Sequence, residues 1–212
     1  MRKMTAFSDN MRNGLKPEWQ VLNTNGSVSN QITYTNRGVK MRNDQFDITG
    51  ETTHFSLLLD VPIIHTPGQF WEVTFIPGEL KWGYMQYFLH DSLTDAMTGA
   101  VQGPFGISQH WDNTAQKSYL YMQRNSANPT EDTKIEILEG DEPIILTLTA
   151  LENGSIQAAA TSDQWENKSH VFGQCDQSTF GGKTLYPCIH NQKSWNSSDG
   201  ANLWRQFKAR KI

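Results

Sequence analysis

The side chains best suited to chemistry gather in one stretch, Phe105 to Asn125. Taking Asp112 to Lys117 as a hairpin loop pairs Trp111 with Ser118, Gln109 with Leu120 and Ile107 with Met122. Side chains alternate along a strand, so this register puts Ile107, Trp111, Leu120 and Met122 on one face, with Gln109 and Ser118 among them. The opposite face carries Ser108, His110, Tyr119, Tyr121 and Gln123. The more apolar set is expected in the core, because a slip of one residue would bury the polar set instead. Cross-strand neighbours stand about 5 Å apart, so the remaining Tyr, His, Ser and Gln side chains can act together. Aromatic rings cover the C–H face of a pyranose, and amides and hydroxyls satisfy its hydroxyl groups. This face is expected to be exposed and to meet a glycan. Packing under a loop or a neighbouring strand is the competing reading.

Other chemistry has weaker support. Glu131 and Asp132 are adjacent, point to opposite faces of a strand, and cannot aim at one bond as a carboxylate pair must. The stretch reads as a solvated strand start. Glu136, Glu139, Asp141 and Glu142 form an acidic turn before Pro143 that could hold a structural Ca²⁺ through oxygen ligands. No other cofactor and no metal-ligand set is expected. His170 and His190 flank Cys175 and Cys188 without the compact spacing of a metal site. The two cysteines read as free thiols or as a disulfide, which would contribute about 3 kcal/mol for a loop of that size. Nucleophile-elbow, cysteine-protease, Walker and Rossmann signatures are absent from the sequence. Gly181-Gly182-Lys183-Thr184 reads as a turn.

The elements that would position these groups are strands. Gln31 to Thr35 and Gly38 to Arg42 alternate around the turn residues Asn36-Arg37-Gly38. Residues 69–77 put Trp71, Val73 and Phe75 on one face. Lys81 to Phe88 is aromatic and fits either period. Strand patterns recur at His54 to Val61, Lys117 to Asn125, Thr133 to Leu138, Ile144 to Leu151 and Ser155 to Thr161. Asn153-Gly154 between the last two predicts a type I′ hairpin turn. About ten short strands separated by Gly, Pro, Asn and Asp indicate an all-β sandwich or barrel. Trp19, Trp71, Val73, Phe75, Leu146 and Leu148 are the expected core. Short helices are compatible with Met1 to Arg12, His90 to Met97 and Asn202 to Lys211, and Ser162 to Gly200 is expected to carry extended loops.

The 212 residues are expected to form one domain, residues 1–212. A hydrophobic fraction of 37% and a charged fraction of 19% are both low, with Asn, Gln, Ser and Thr in their place. A net charge of −4 argues against bulk binding to nucleic acid or an anionic membrane surface. No apolar run approaches the roughly 20 residues of a membrane span. The opening residues lack the apolar core of a signal peptide.

The segment Phe7-Ser-Asp-Asn-Met-Arg-Asn-Gly-Leu15-Lys-Pro17-Glu-Trp19 resembles the opening of concanavalin A-like lectin and glucanase jelly rolls, including laminin-G-like modules. These begin with an aromatic, an Asp, then Leu-x-Pro-x-Trp. A strand like Gly38-Val-Lys-Met and a long one like Phe55-Ser-Leu-Leu-Leu-Asp-Val-Pro commonly follow. The resemblance covers the first third as motif and the rest as strand rhythm. It implies an all-β, two-sheet antiparallel jelly-roll sandwich with little helix. It also implies a non-catalytic carbohydrate-binding module of the extracellular space or a particle surface. Its partner would be a glycan or polysaccharide, and an oligomer is compatible; a cytoplasmic location is the alternative. An enzyme on the same fold is the alternative, a polysaccharide lyase using His110, Tyr119 and Tyr121 as acid and base or, less specifically, a glycoside hydrolase. This chain departs from the lyase pattern: Gln109 and His110 point to opposite faces, and Arg124 falls on the core side. A third reading is a structural or adhesion module of a virion or cell-surface assembly.

Overall fold

Alternation along residues 71–77 is carried into the fold without a break. Trp71, Val73, Phe75 and Pro77 are buried, and the residues between them are partly exposed. The computed structural model describes residues 6–23, 32–36, 38–42, 53–78, 84–91, 105–112, 114–124, 134–138, 142–175, 180–193 and 201–211; side chains of some strand residues, Gln123 and Arg124 among them, lie outside the description. Sixteen strands make up the elements of the described residues.

One sheet runs in the order β14 (Ser169–Cys175), β13 (Ile156–Thr161), β12 (Ile145–Ala150), β7 (Trp71–Pro77), β16 (Ala201–Lys211), β4 (Gly38–Arg42), β3 (Ile32–Thr35), with β1 (Ala6–Asp9) also on β16. The second runs β11 (Ile135–Ile137), β10 (Lys117–Arg124), β9 (Phe105–Asp112), β8 (Tyr84–His90), β15 (Thr184–Lys193), β5 (Thr53–Leu59), β2 (Trp19–Asn23), with β6 (Ile63–Ile64) on β15. Every pairing is antiparallel. The inner faces meet in one core. Trp71, Val73, Phe75, Leu146 and Leu148 come from the first sheet; Leu57, Tyr87, Ile107, Leu120 and Trp19 come from the second. All six residues expected in the core are buried.

The opening motif has a physical reason. The buried Asp9 carboxylate accepts hydrogen bonds from the Met11 amide (2.8 Å), the Lys16 amide (3.0 Å) and the Trp19 indole Nε1 (3.0 Å). Asp9 ends a strand of the first sheet and Trp19 begins a strand of the second, so one carboxylate clamps the crossing between sheets. The clamp holds Met11, which is buried, at φ 54°, a conformation that side chains disfavour. Buried His65 ties two further segments. Its Nδ1 accepts from the Trp71 indole (3.1 Å), which leaves Nε2 to donate to the Gly154 carbonyl (2.8 Å).

Several expectations are corrected. Ala6–Asp9 and Ala201–Lys211 are strands, not helices, because β16 fills the middle of the first sheet between β7 and β4. Residues 92–97 of the His90 to Met97 candidate lie outside the described residues. The Ser162 to Gly200 segment holds β14 and the ten-residue β15, a central strand of the second sheet. The Asn153-Gly154 hairpin is present, but its turn is not type I′. Gly154 has φ 79° and Asn153 is not in the left-handed region. The Gly154 amide donates to the Leu151 carbonyl (2.9 Å), and the Leu151 amide to that of Ser155 (2.9 Å). This is a three-residue loop with its glycine in the left-handed position. The Asn153 carboxamide oxygen holds it from inside, accepting from the Ser155 amide (3.0 Å) and hydroxyl (2.6 Å).

Gly106 of β9 lies opposite Phe88 of β8. A Cβ there would stand 2.2 Å from the Tyr87 carbonyl oxygen and 2.5 Å from the Phe88 Cβ, so the strands would have to part. Gly106→Ala is expected to lower stability by about 1–3 kcal/mol, the cost of overpacking, as read by urea unfolding. A loss below about 0.5 kcal/mol would mean that β8 and β9 have room the geometry denies.

Candidate functional site

The β9–β10 hairpin has the register read from the sequence: Trp111 pairs with Ser118, Gln109 with Leu120 and Ile107 with Met122. Ile107, Leu120 and Met122 enter the core. Gln109 is buried with them, its Oε1 accepting from the Tyr87 hydroxyl at 3.3 Å. At the tip, Asp112 Oδ1 accepts the amides of Thr114 (2.8 Å) and Ala115 (3.0 Å), and these bonds hold its carboxyl below its ordinary value. Gln116 closes the loop at φ 55°.

The far face of the second sheet, turned away from the core, is ordered in cross-strand rows. His190, Gln86, Ser108 and Tyr121 follow one another across β15, β8, β9 and β10, and all four are buried. The next row brings His110, Tyr119 and Glu136 side by side. On the other flank, Leu58, Phe88 and Cys188 form a small apolar cluster separate from the main core, with Tyr186 against it. Beside this cluster the face is polar and aromatic, from His190 and Gln86 to Ser108, His110, Tyr119 and Tyr121.

Four of the five residues expected to form a ligand face are in mutual contact. Ser108 Oγ and His110 Nε2 are hydrogen-bonded at 2.8 Å. The His110 ring lies 4.9 Å from that of Tyr121, which lies 6.4 Å from that of Tyr119. The fifth, Gln123, pairs through its backbone with Gly106, and its side chain lies outside the described residues. Expected exposure needs correction. His110 and Tyr119 are partly exposed, whereas Ser108 and Tyr121 are buried. Ser108 is short and hydrogen-bonded to the His110 ring, and the Tyr121 ring is flanked by His110 and Tyr119.

Lys134 was not anticipated. Its Nζ lies 4.0 Å from the Tyr119 ring centre and 5.7 Å from that of Tyr121. The signal was weak but present: Lys134 is two residues before Glu136 and therefore on the same face of that strand. Glu136 itself is engaged by Lys117 (2.7 Å), whose ammonium it holds above the ordinary value. Gln86 and His190 were missed because their place depends on the pairing of β8 with β15, whose partners are distant in sequence.

No family model and no curated protein matches the chain. Solved structures do. Peanut lectin in complex with a nine-residue peptide superposes with a TM-score of 0.66 at 12% identity, covering 98% of each chain. Lectin UEA-II in complex with galactose gives 0.63 at 8% identity over 99% of each chain. The carbohydrate recognition domain of Emp46p, potassium-bound, gives 0.55 at 14% identity over 95% of this chain and 94% of that one. The fold is the concanavalin A-like jelly roll. At such identities the likeness fixes the fold of this jelly roll alone.

Other candidates on the jelly roll separate clearly. Cys175 and Cys188 are buried thiols, one in the main core and the other in the small far-face cluster. Burial pushes the Cys188 thiol far up, which makes it a poor nucleophile. In the acidic turn, Glu139 and Asp141 lie outside the described residues, as do Glu131 and Asp132. Among the described residues no group of three or more His, Cys, Asp and Glu side chains is placed to hold a metal ion, and no helix is long and apolar enough to cross a membrane. Gly181-Gly182-Lys183 is a turn, with Gly182 at φ 75° and its amide donating to the His65 carbonyl (2.9 Å).

Burial lowers the His110 imidazole from its ordinary value to about 4. The unfolded chain therefore takes up the proton first as pH falls from about 6.5. The stability that His110 contributes is whole above that value and is lost as pH drops through the window down to about 4. The stability difference between the wild type and His110→Gln is thus expected to shift against the wild type between pH 7 and pH 4, in paired thermal melts. A difference that is flat with pH, or that moves the other way, would contradict a neutral, partly desolvated imidazole.

Proposed function

We propose that this chain, as one sandwich domain over residues 1–212, is a lectin-like module. It binds a glycan on the far face of its second sheet, through Tyr119, Tyr121, His110, Ser108 and Gln123, and does not cleave it. The observation that carries this reading is the register of β9 with β10, which sets His110, Tyr119 and Tyr121 together on the face away from the core. A face that served packing alone would be expected to resemble the inner one, yet this face carries His190, Gln86, Ser108 and His110 beside the tyrosines. Aromatic planes next to amide, hydroxyl and imidazole groups are the chemistry a sugar requires, with one apolar face and a polar rim. Two of the fold neighbours support the class: one holds galactose, and another is a carbohydrate recognition domain. The setting that suits such a module is extracellular or on a particle surface.

The lyase alternative keeps one favourable observation, a neutral His110 hydrogen-bonded to Ser108 beside two tyrosines. The amide next to His110 in sequence, Gln109, is committed to Tyr87 in the core. His110→Ala separates the two: a binding module loses affinity, whereas a lyase keeps binding and loses turnover by a factor of about 10² or more.

Glycan-array binding followed by titration of the best glycan tests the proposal. Tyr119→Ala is expected to weaken binding by about 1–3 kcal/mol with a nearly unchanged melting temperature, since the ring is partly exposed. Tyr121→Ala is expected to weaken binding and lower the melting temperature as well, because that ring is buried. Glycan binding undiminished in Tyr119→Ala would move the site elsewhere.

A further inference from the structure

One strand of the second sheet is held in place by the first. β11 has three residues and, among the described residues, pairs with β10 alone. The pairing sets Glu136 beside Tyr119, just as β9 sets His110 on the other flank of that tyrosine. The Glu136 carboxylate in turn bonds Lys117 at 2.7 Å. β11 is therefore the outer wall of the far face. A strand of three residues is shorter than most and has little ladder of its own, so an edge of this kind opens first.

Its outward edge is taken by residues 162–168, the connection between β13 and β14 of the first sheet. The Trp165 indole Nε1 donates to the Glu136 carbonyl (3.0 Å), and the Leu138 amide donates to Gln164 Oε1 (2.6 Å). Gln164 Nε2 donates to the Glu142 carbonyl (3.4 Å), and the Ser162 hydroxyl to that of Pro143 (3.1 Å). The connection is tied to itself as well: the Lys168 amide donates to the Trp165 carbonyl (3.0 Å) and the Ser162 amide to that of Lys168 (2.9 Å). Trp165 is anchored in the main core, and Gln164 is bonded to backbone at both ends of its carboxamide. Both act on the backbone of β11 and its continuation. We propose, resting on the glycan reading of the far face, that Gln164 and Trp165 are positioning residues for that face. With β11 clamped, Tyr119 is flanked on both sides before a ligand arrives. With β11 released, β10 becomes the sheet edge, and binding must first order the wall, which costs affinity.

The test uses the full chain, with the best-ranked array glycan as the probe. Gln164→Met keeps the side-chain length and removes both carboxamide bonds. Trp165→Phe keeps a buried ring and removes the indole donor. Trp71→Phe is the matched control, because it removes another buried indole bond, to His65, that does not touch β11. Calorimetric titration below each melting transition gives the affinity, and amide hydrogen exchange along β11 gives its opening. Gln164→Met and Trp165→Phe are each expected to weaken binding about fivefold, the scale of one neutral hydrogen bond, and to speed exchange at Ile135 and Ile137. Trp71→Phe is expected to lower the melting temperature and leave the affinity unchanged. If Trp165→Phe does not fold, the half-buried Gln164 still carries the test. Unchanged affinity in Gln164→Met, a loss of affinity without faster exchange along β11, or an equal loss in Trp71→Phe would overturn the positioning role and leave the glycan reading standing. Binding of no glycan by the wild type would overturn both.

Discussion

Strand β9 lies so close to β8 that a side chain at position 106 would press on the Tyr87 carbonyl and the Phe88 backbone. Glycine is what permits the approach, and the approach pins the register. Sliding β9 by one residue would bring Phe105 or Ile107 into that gap and turn every side chain of the strand to the opposite face. Ser108 and His110 would then point inward, and Ile107 would leave the core. The separation of an apolar inner set from an aromatic and polar outer set rests on this constraint, because β10 takes its own register from β9.

Polar groups on the two faces are handled differently. On the inner face Gln109 is tolerated because Tyr87 donates to it, and burial holds the Tyr87 phenol well above its ordinary value, so it stays a donor. At the crossing between sheets, three donors converge on the Asp9 carboxylate, which meets the requirement that a buried charge be fully hydrogen-bonded. On the far face the polar groups form a continuous row and merge with a partly exposed rim at His110 and Tyr119. The inner polar groups Gln109 and Asp9 are isolated from one another and each accepts hydrogen bonds from the fold. The outer ones are contiguous and open onto a rim, as the proposed glycan-binding face requires.

Much of this was legible in the sequence because period-2 alternation is local. The β9–β10 register, the Trp71–Phe75 core face and the β3–β4 hairpin all follow from short windows. The opening motif identified the fold, and the structure supplies its cause in the Asp9–Trp19 bond. What escaped reading was set by distant partners. The C-terminal segment fits either period, and only its place between β7 and β4 makes it a strand. Burial of Tyr121 and Ser108, the arrival of Lys134 over Tyr119, and the row through Gln86 and His190 depend on which strands neighbour which. At Asn153-Gly154 the dipeptide predicted a hairpin correctly, yet one extra loop residue changed the turn.

Tyrosine-ring NMR on selectively labelled protein, titrated with the best-ranked array glycan, interrogates the central claim directly. The account predicts that the Tyr119 and Tyr121 ring signals shift in saturable fashion, while Tyr34, exposed on β3 of the other sheet, does not. Saturable binding that leaves Tyr119 and Tyr121 unmoved, or that moves Tyr34 instead, would contradict it.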